Sequence, residues 1–246
     1  MHSFRADLHI HTVLSPCAEL EMTPRKIVGR AVEAGLQIIG ITDHNSTLNA
    51  EVVKELGSER GILVLMGAEV TTREEVHCLA FFEDTERRKS FQTFLDENSI
   101  RIPNPDGHFG YQPVVDADEN ILEMIPYFLT AALKKGINEI SRKVMELGGI
   151  FIPAHVNRQM NGLFAQLGFL PPDLHFDALG ITGKMISADV RKQYDLKESI
   201  TLVRNSDAHF LEQIGSSYSI FEMKEARFEE IKLALKQQDS RRVRTE

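Results

Sequence analysis

The stretch Asp7–Cys17 reads DLHIHTVLSPC, and its first half continues a strand-like run that begins at Phe4. Residues i and i+2 of a strand face the same way, so His9 and His11 project side by side. Two imidazoles on one face of a buried strand need partners, because an unpaired buried polar group is costly. A shared divalent metal ion is a partner that suits both.

Working outward, strand and helix signals alternate. MTPRKIVGRAVEAG predicts a helix, with Thr23 as N-cap, Pro24 at its first position and Gly35 after its last turn. Ile27, Ala31, Val32 and Ala34 supply its apolar face. LQIIGIT is a continuous apolar run, as expected of a strand buried on both faces. NAEVVKELG predicts a second helix, and GILVLMGAEVT and EVHCLAFF two more strands. Later, NEISRKVMELGG and KEARFEEIKLALKQQ read as helices, and IFIPAH, FDALGIT and ITLVRNSDAH as strands, the last running into a loop. About seven β/α units imply parallel strands with helical crossovers closing into a barrel. Glu83–Ile137 departs from the alternation. It offers a polar helix, a loop with IPNPDGHFG, and a hairpin turning at DADEN, and reads as an insertion within one domain spanning 1–246. The tail DSRRVRTE is polar and is expected to fray.

The chain has 246 residues, 42% hydrophobic and 26% charged, a composition that implies a folded core. No apolar run reaches membrane-spanning length, and the start lacks a signal-peptide pattern, so no membrane association is expected. Two cysteines cannot build a disulfide framework, which points to a reducing cytoplasm. A net charge of −8 disfavours stable nucleic-acid binding.

The unusual residues gather at strand ends. His9 and His11 close the first strand, His44 follows the second, Glu69 ends the third, and His77 lies on the fourth. His155 ends IFIPAH, and Asp207 and His209 follow a late strand with the i, i+2 spacing repeated. In a parallel barrel the strand ends meet at one mouth. Imidazole and carboxylate together suit zinc, manganese or iron, and a carboxylate can bridge two ions. His2, His108 and His175 lack this context and read as surface residues.

The motifs DLHIHT, ITDHN, GAEVT, VHCLAFF, PAH and NSDAH, in that order from Asp7 to His209, resemble the polymerase and histidinol phosphatase (PHP) superfamily. The chain is most similar to the stand-alone phosphoesterases, since no polymerase module accompanies it. The resemblance implies a distorted (β/α)7 barrel with a trinuclear metal site in its mouth. By that resemblance His9, His11, Glu69 and Asp207 hold one ion, and Glu69 bridges to a second held also by His77 and His155. His44 and His209 hold a third, so two or three divalent ions are expected. The family's remaining ligand for the third falls near SPCAEL, where Cys17 either ligates or merely lines the site, with Glu19 and Glu21 as alternatives. Cys78 reads as core. Asp43 is expected to orient an imidazole or a backbone group.

The expected reaction is hydrolysis of a phosphate ester by a metal-bridging hydroxide, with His9, His11, Glu69, Asp207 and His209 as its catalytic residues. Arg158 follows His155 in a loop and is the candidate phosphate contact, with Arg73 and Lys184 as weaker ones; a solvated surface arginine is the other reading of Arg158. A small phosphomonoester or a nucleotide is the expected substrate. Two other readings remain: a metal-dependent amidohydrolase, which usually has a carboxylated Lys or a Glu on a middle strand, and a non-catalytic metal-binding regulatory module.

Overall fold

The computed structural model describes residues 1–182 and 185–245, so Lys184 lies outside the described residues. Strands β1 (His2–Ile10), β2 (Ile38–Ile41) and β3 (Leu63–Thr71) run parallel, with Ala6 opposite Ile38 and Ile38 opposite Leu63. Helices α1 (Pro24–Glu33) and α2 (Ala50–Glu59) make the two crossovers. Thr23 sits at the α1 N-cap, but its hydroxyl donates to Glu119 on the hairpin turn instead of capping the helix. Gly35 takes φ 69° just past the helix, a left-handed turn that favours glycine.

The next strand departs from the expected parallel order. Strand β4 (His77–Phe82) runs antiparallel to β3, with Thr71 opposite His77. The five residues 72–76 between them are too few for a crossover, which takes roughly a dozen. Strand β7 (Ile150–Pro153) is antiparallel to β4 and so parallel again to β1–β3. Strands β8 (Leu179–Ile181) and β9 (Leu202–Arg204) form a parallel pair. The Val156 N–H donates to the Gly180 carbonyl at 2.8 Å, joining β7 to β8. On the other side Leu8 N–H donates to the Asn205 side chain, and Ala208 bonds His9 and His11 through its backbone. These seven strands make the distorted barrel.

Its interior holds Leu8, Leu65, Leu79, Phe81, Ile152 and Val203. Phe81 fits because Gly40 and Gly67 face it. A Cβ would come within 2.8 Å of its ring at Gly40 and 2.5 Å at Gly67. Deleting such a ring from a core costs about 3–5 kcal/mol.

Outside the barrel, β10 (Ser219–Met223) pairs antiparallel with β1, and β11 (Arg242–Thr245) pairs antiparallel with β10. The expectation that the tail frays is therefore wrong: β11 hydrogen-bonds along β10, Val243 packs against the core that α7 (Phe228–Leu235) shares, and Glu222 pairs with Arg244. No strand was expected over Ser219–Met223 either.

Helix α3 (Thr85–Asn98) follows β4 and is capped by Asp84, whose carboxylate accepts from Arg87 N–H. Its Phe91 and Leu95 pack with Phe82 and with Val144 of α4 (Ile137–Glu146). Between the two helices lies the hairpin of β5 (Pro113–Val115) and β6 (Ile121–Met124), turning through Asp116–Asn120. Three buried amides fasten this segment. Asn45 donates to the Leu129 and Ala131 carbonyls, Asn49 to the Pro113 carbonyl, and Gln112 to the Ile125 and Tyr127 carbonyls. Two short helices, α5 (Leu163–Leu167) and α6 (Ser187–Gln193), complete the fold. Among the described residues no helix is long and apolar enough to cross a membrane.

Candidate metal centre

Six of the seven barrel strands, all but β8, supply part of one cluster at the mouth. His9 lies on β1 and His11 just beyond it, with their Nε2 atoms 3.2 Å apart. His44 follows β2 and bridges to Glu69 on β3. His77 is the first residue of β4, and because β4 is antiparallel it is the start of that strand that reaches the mouth. His155 follows β7, and Asp207 and His209 follow β9. The backbone turns sharply there: φ is 29° at His155, 56° at Asp207 and 45° at Asn45. Such left-handed positions cost a non-glycine residue about 1 kcal/mol or more, and cluster where side-chain aim matters.

Glu69 is the hub. Its Oε1 lies 3.2 Å from His9 Nε2, 2.9 Å from His77 Nδ1 and 2.9 Å from His155 Nε2. Its Oε2 lies 3.4 Å from His11 Nε2 and 3.2 Å from His44 Nδ1. Asp207 Oδ1 lies 3.2 Å from His9 Nε2 and 3.4 Å from His11 Nε2. A carboxylate offers only about four lone-pair sites, and two facing imidazole nitrogens do not satisfy one another unless one carries a proton. The Nδ1 of His155 is buried without a hydrogen-bond partner, and that of His44, though 3.2 Å from Glu69 Oε2, makes no aligned hydrogen bond. Ligands held about 2.0–2.1 Å from a tetrahedral ion stand roughly 3.3–3.4 Å from each other, close to the spacings found here. Three groups of side chains have ligand atoms all within 4.8 Å of one another: His9, His11, Glu69 and Asp207; His44, Glu69 and His77; and His11, His44 and His209. The donor set and its spacing fit divalent metal ions.

The electrostatics agree. Burial works against ionisation of Glu69, but the charges of His77 and His9 and hydrogen bonds from His11 and His155 hold its carboxyl well below the usual range. Asp207 is likewise held far down, against burial, by His9 and His11. His11 is pushed up to about 10, because hydrogen bonds to Asp207 and Glu69 outweigh its burial. Burial and the His11 charge pull His209 down to about 4 and His44 well below its ordinary value. Burial also lowers His155. The buried Glu69 and the part-buried Asp207 thus hold positive charge in their midst.

Asp43 is linked to the His11 imidazole through an intermediary, Ser15. Its Oδ1 accepts from the Ser15 hydroxyl and from Thr12 N–H, both at 2.7 Å, and its Oδ2 from the Thr12 hydroxyl at 2.8 Å. Ser15 Oγ is 2.9 Å from His11 Nδ1. This contact leaves His11 Nε2 facing the cluster. A serine four residues after the histidine pair carries no motif, so only the folded loop exposes its role.

The other expected residues divide. Arg158 reaches the cluster and its guanidinium donates to Asp207 Oδ2. Cys17 lines the cavity, but its sulphur belongs to none of the three groups, and burial together with Glu69 pushes its thiol up to about 12. Glu19 and Glu21 are exposed, and Glu21 pairs with Lys26. Arg73 is exposed and lies against Glu74 and Glu139. Cys78 is buried in the core, and His2, His108 and His175 are exposed away from the cluster. A cavity of about 330 Å³ opens over the cluster, lined also by Pro16, Phe109, Phe128, Thr130, Met160 and Asn161. A larger groove of about 510 Å³ beside Arg101 and Tyr127 holds none of these ligands.

The sequence profile of the PHP domain matches residues 7–152, more than half of the chain and most of the cluster. The chain belongs to the PHP domain family. A profile described as PHP-associated matches residues 194–239. The PHP chain is 26% identical to the uncharacterized protein YqxK of Bacillus subtilis strain 168, covering 99% of itself and 64% of that protein. Its fold is similar to the lesion-specific endonuclease PfuEndoQ of Pyrococcus furiosus, with TM-score 0.75 at 23% identity over 98% of this chain and 58% of that one. It is also similar to a two-domain protein of Bacteroides vulgatus containing a predicted PHP-like metal-dependent phosphoesterase, with TM-score 0.59 at 16% identity over 99% and 65% of the two chains. This PHP chain therefore spans about two thirds or less of the length of each.

Proposed function

We propose that the protein hydrolyses phosphate esters with the help of divalent metal ions held in the barrel mouth. The observation that carries this reading is Glu69, a buried carboxylate touched by five imidazoles. His9, His11, Glu69 and Asp207 would hold one ion, Glu69, His77 and His155 a second, and His44 and His209 a third, with Cys17 either a further donor to it or only a lining residue. Two or three such ions, of zinc, manganese or iron, would supply Lewis acidity toward phosphoryl oxygens and lower the pKa of water toward neutrality.

The chain's own residues supply the rest. Asp43 and Ser15 fix the His11 tautomer through Nδ1. His209, pulled down to about 4, is unprotonated at neutral pH and so presents a free ring nitrogen. Arg158 is the one Arg or Lys among the described residues lining the cavity, and its fork suits a phosphate as well as it now suits Asp207. The two free cysteines fit a cytoplasmic setting.

A small phosphomonoester or nucleotide is the favoured substrate, given the single cation in the lining and the acidic chain. A nucleic-acid strand is the second reading, raised by the fold shared with a lesion-specific endonuclease. Protein purified without chelator should contain two or three ions per chain and release phosphate from a phosphomonoester panel. Nicking of lesion-bearing oligonucleotides without phosphate release would favour the second reading. Release of ammonia or a carboxylate would favour an amidohydrolase, and metal without turnover a binding module.

A further inference from the structure

The cavity that holds the cluster has one wall that metal chemistry does not use. Phe109, Phe128 and Met160 line it, and Phe109 remains 42% exposed while Met160 is 75% exposed. The Phe109 and Phe128 rings pack with centroids 4.7 Å apart. The backbone that carries Phe109 is anchored on both sides of the ring. Phe109 N–H donates to the buried Asn104 side chain at 2.8 Å, and Asn104 in turn donates to the Gly110 carbonyl at 2.9 Å. Gly110 has φ 107°, and a Cβ there would fall 2.2 Å from the Pro16 carbonyl. Only glycine lets this loop settle onto the Pro16–Cys17 segment and hold Phe109 beside the cluster.

An aromatic ring packed on a second ring with its surface in water gains by covering that surface, and an anchored backbone limits the entropy lost in doing so. The neighbouring ligands and Arg158 call for an anion within the same 330 Å³. We propose that Phe109, backed by Phe128, is a ring-binding wall that selects phosphate esters whose alcohol carries a flat aromatic ring, as a nucleoside or aryl phosphate does. This rests on the phosphoesterase reading for the anion, but the wall can be tested without turnover.

The test is calorimetric binding of two non-hydrolysable probes, phenylphosphonate and propylphosphonate, to the metal-loaded protein. Wild type should prefer the phenyl probe by about tenfold, the scale of stacking a ring on an aromatic side chain. Phe109→Ala should remove most of that preference, Phe109→Tyr should retain it, and Gly110→Ala should lose it by displacing the loop. Leu122→Ser, on the exposed hairpin strand away from the cavity, should leave the preference intact. Equal binding of both probes by wild type, or an undiminished preference in a folded Phe109→Ala protein, would overturn the wall. A phenyl preference that depends on Phe109 in a protein that hydrolyses no phosphate ester would uphold the wall and sink the phosphoesterase reading.

Discussion

Carboxylates are held ionised in two places, by different partners. On the flank formed by β10, β11 and α7, Glu230 accepts from Arg241 Nη2 at 2.7 Å and Nε at 3.1 Å, and from Lys224 N–H at 2.8 Å. These contacts, the guanidinium first, bring its carboxyl down to about 2. At the barrel mouth Glu69 is held down by imidazoles, and so chiefly is Asp207, which also accepts from Arg158. A guanidinium is charged at every relevant pH and closes the account with a fixed bidentate pair. An imidazole can give up its proton to become a metal ligand. The same electrostatic depression thus marks a structural clamp on the flank and an exchangeable site at the mouth.

The contrast breaks most sharply under truncation at the mouth. His9→Ala or Asp207→Ala should lower turnover by about a thousandfold or more and reduce bound metal; full activity in either would remove the cluster from the chemistry. Ser15→Ala or Asp43→Asn should weaken metal binding or activity by about 10–100-fold, read by competition with a colorimetric chelator, while the ligand atoms themselves stay in place. Stripping metal should lower the unfolding temperature, by the equivalent of about 2.7 kcal/mol where free metal stood at a hundred times its dissociation constant. A chelator-insensitive melt would say that protons serve the cluster as well as ions do.

The flank should give the smallest effects and the opposite dependence. Arg241→Met should lower the melting temperature but leave metal content unchanged. Glu230 has a depressed pKa, so its stabilisation is full above its ordinary 4.5 and is lost as pH falls from there through about 2. Acid titration of the wild-type melt should show that limb, and Arg241→Met should flatten it.

Much of this was legible in the chain. Hydrophobic runs and caps located β1–β3, α1 and α2, and the i, i+2 pairs drew attention to residues that the fold gathers. The structure brings eight of the nine expected ligands together, all but Cys17. Strand direction was misjudged at β4, although the short 72–76 link carried the signal. β10 and β11 escaped notice because SIFEM is followed by charged residues and VRT is polar on its open face, so their order comes from pairing with β1 and from Glu222. Ser15 was invisible for a different reason: its role depends on a loop folding back to within reach of both His11 and Asp43.

Strand β4 has a wider effect than the placing of His77. Because it descends from the mouth, the helix after it must climb. Helix α3 ends where Lys134 N–H meets the Asn98 carbonyl, beside Leu133, which bonds Thr71 at the top of β3. Helix α4 then descends and β7 rises again. One reversed strand therefore shifts the alternation by half a step and puts a helix-to-helix connection at the mouth, where β1 and β2 have strand-to-helix ones. Such a connection can lengthen without breaking any rung of the barrel. It is how this chain brings Phe109 to stand over its histidines.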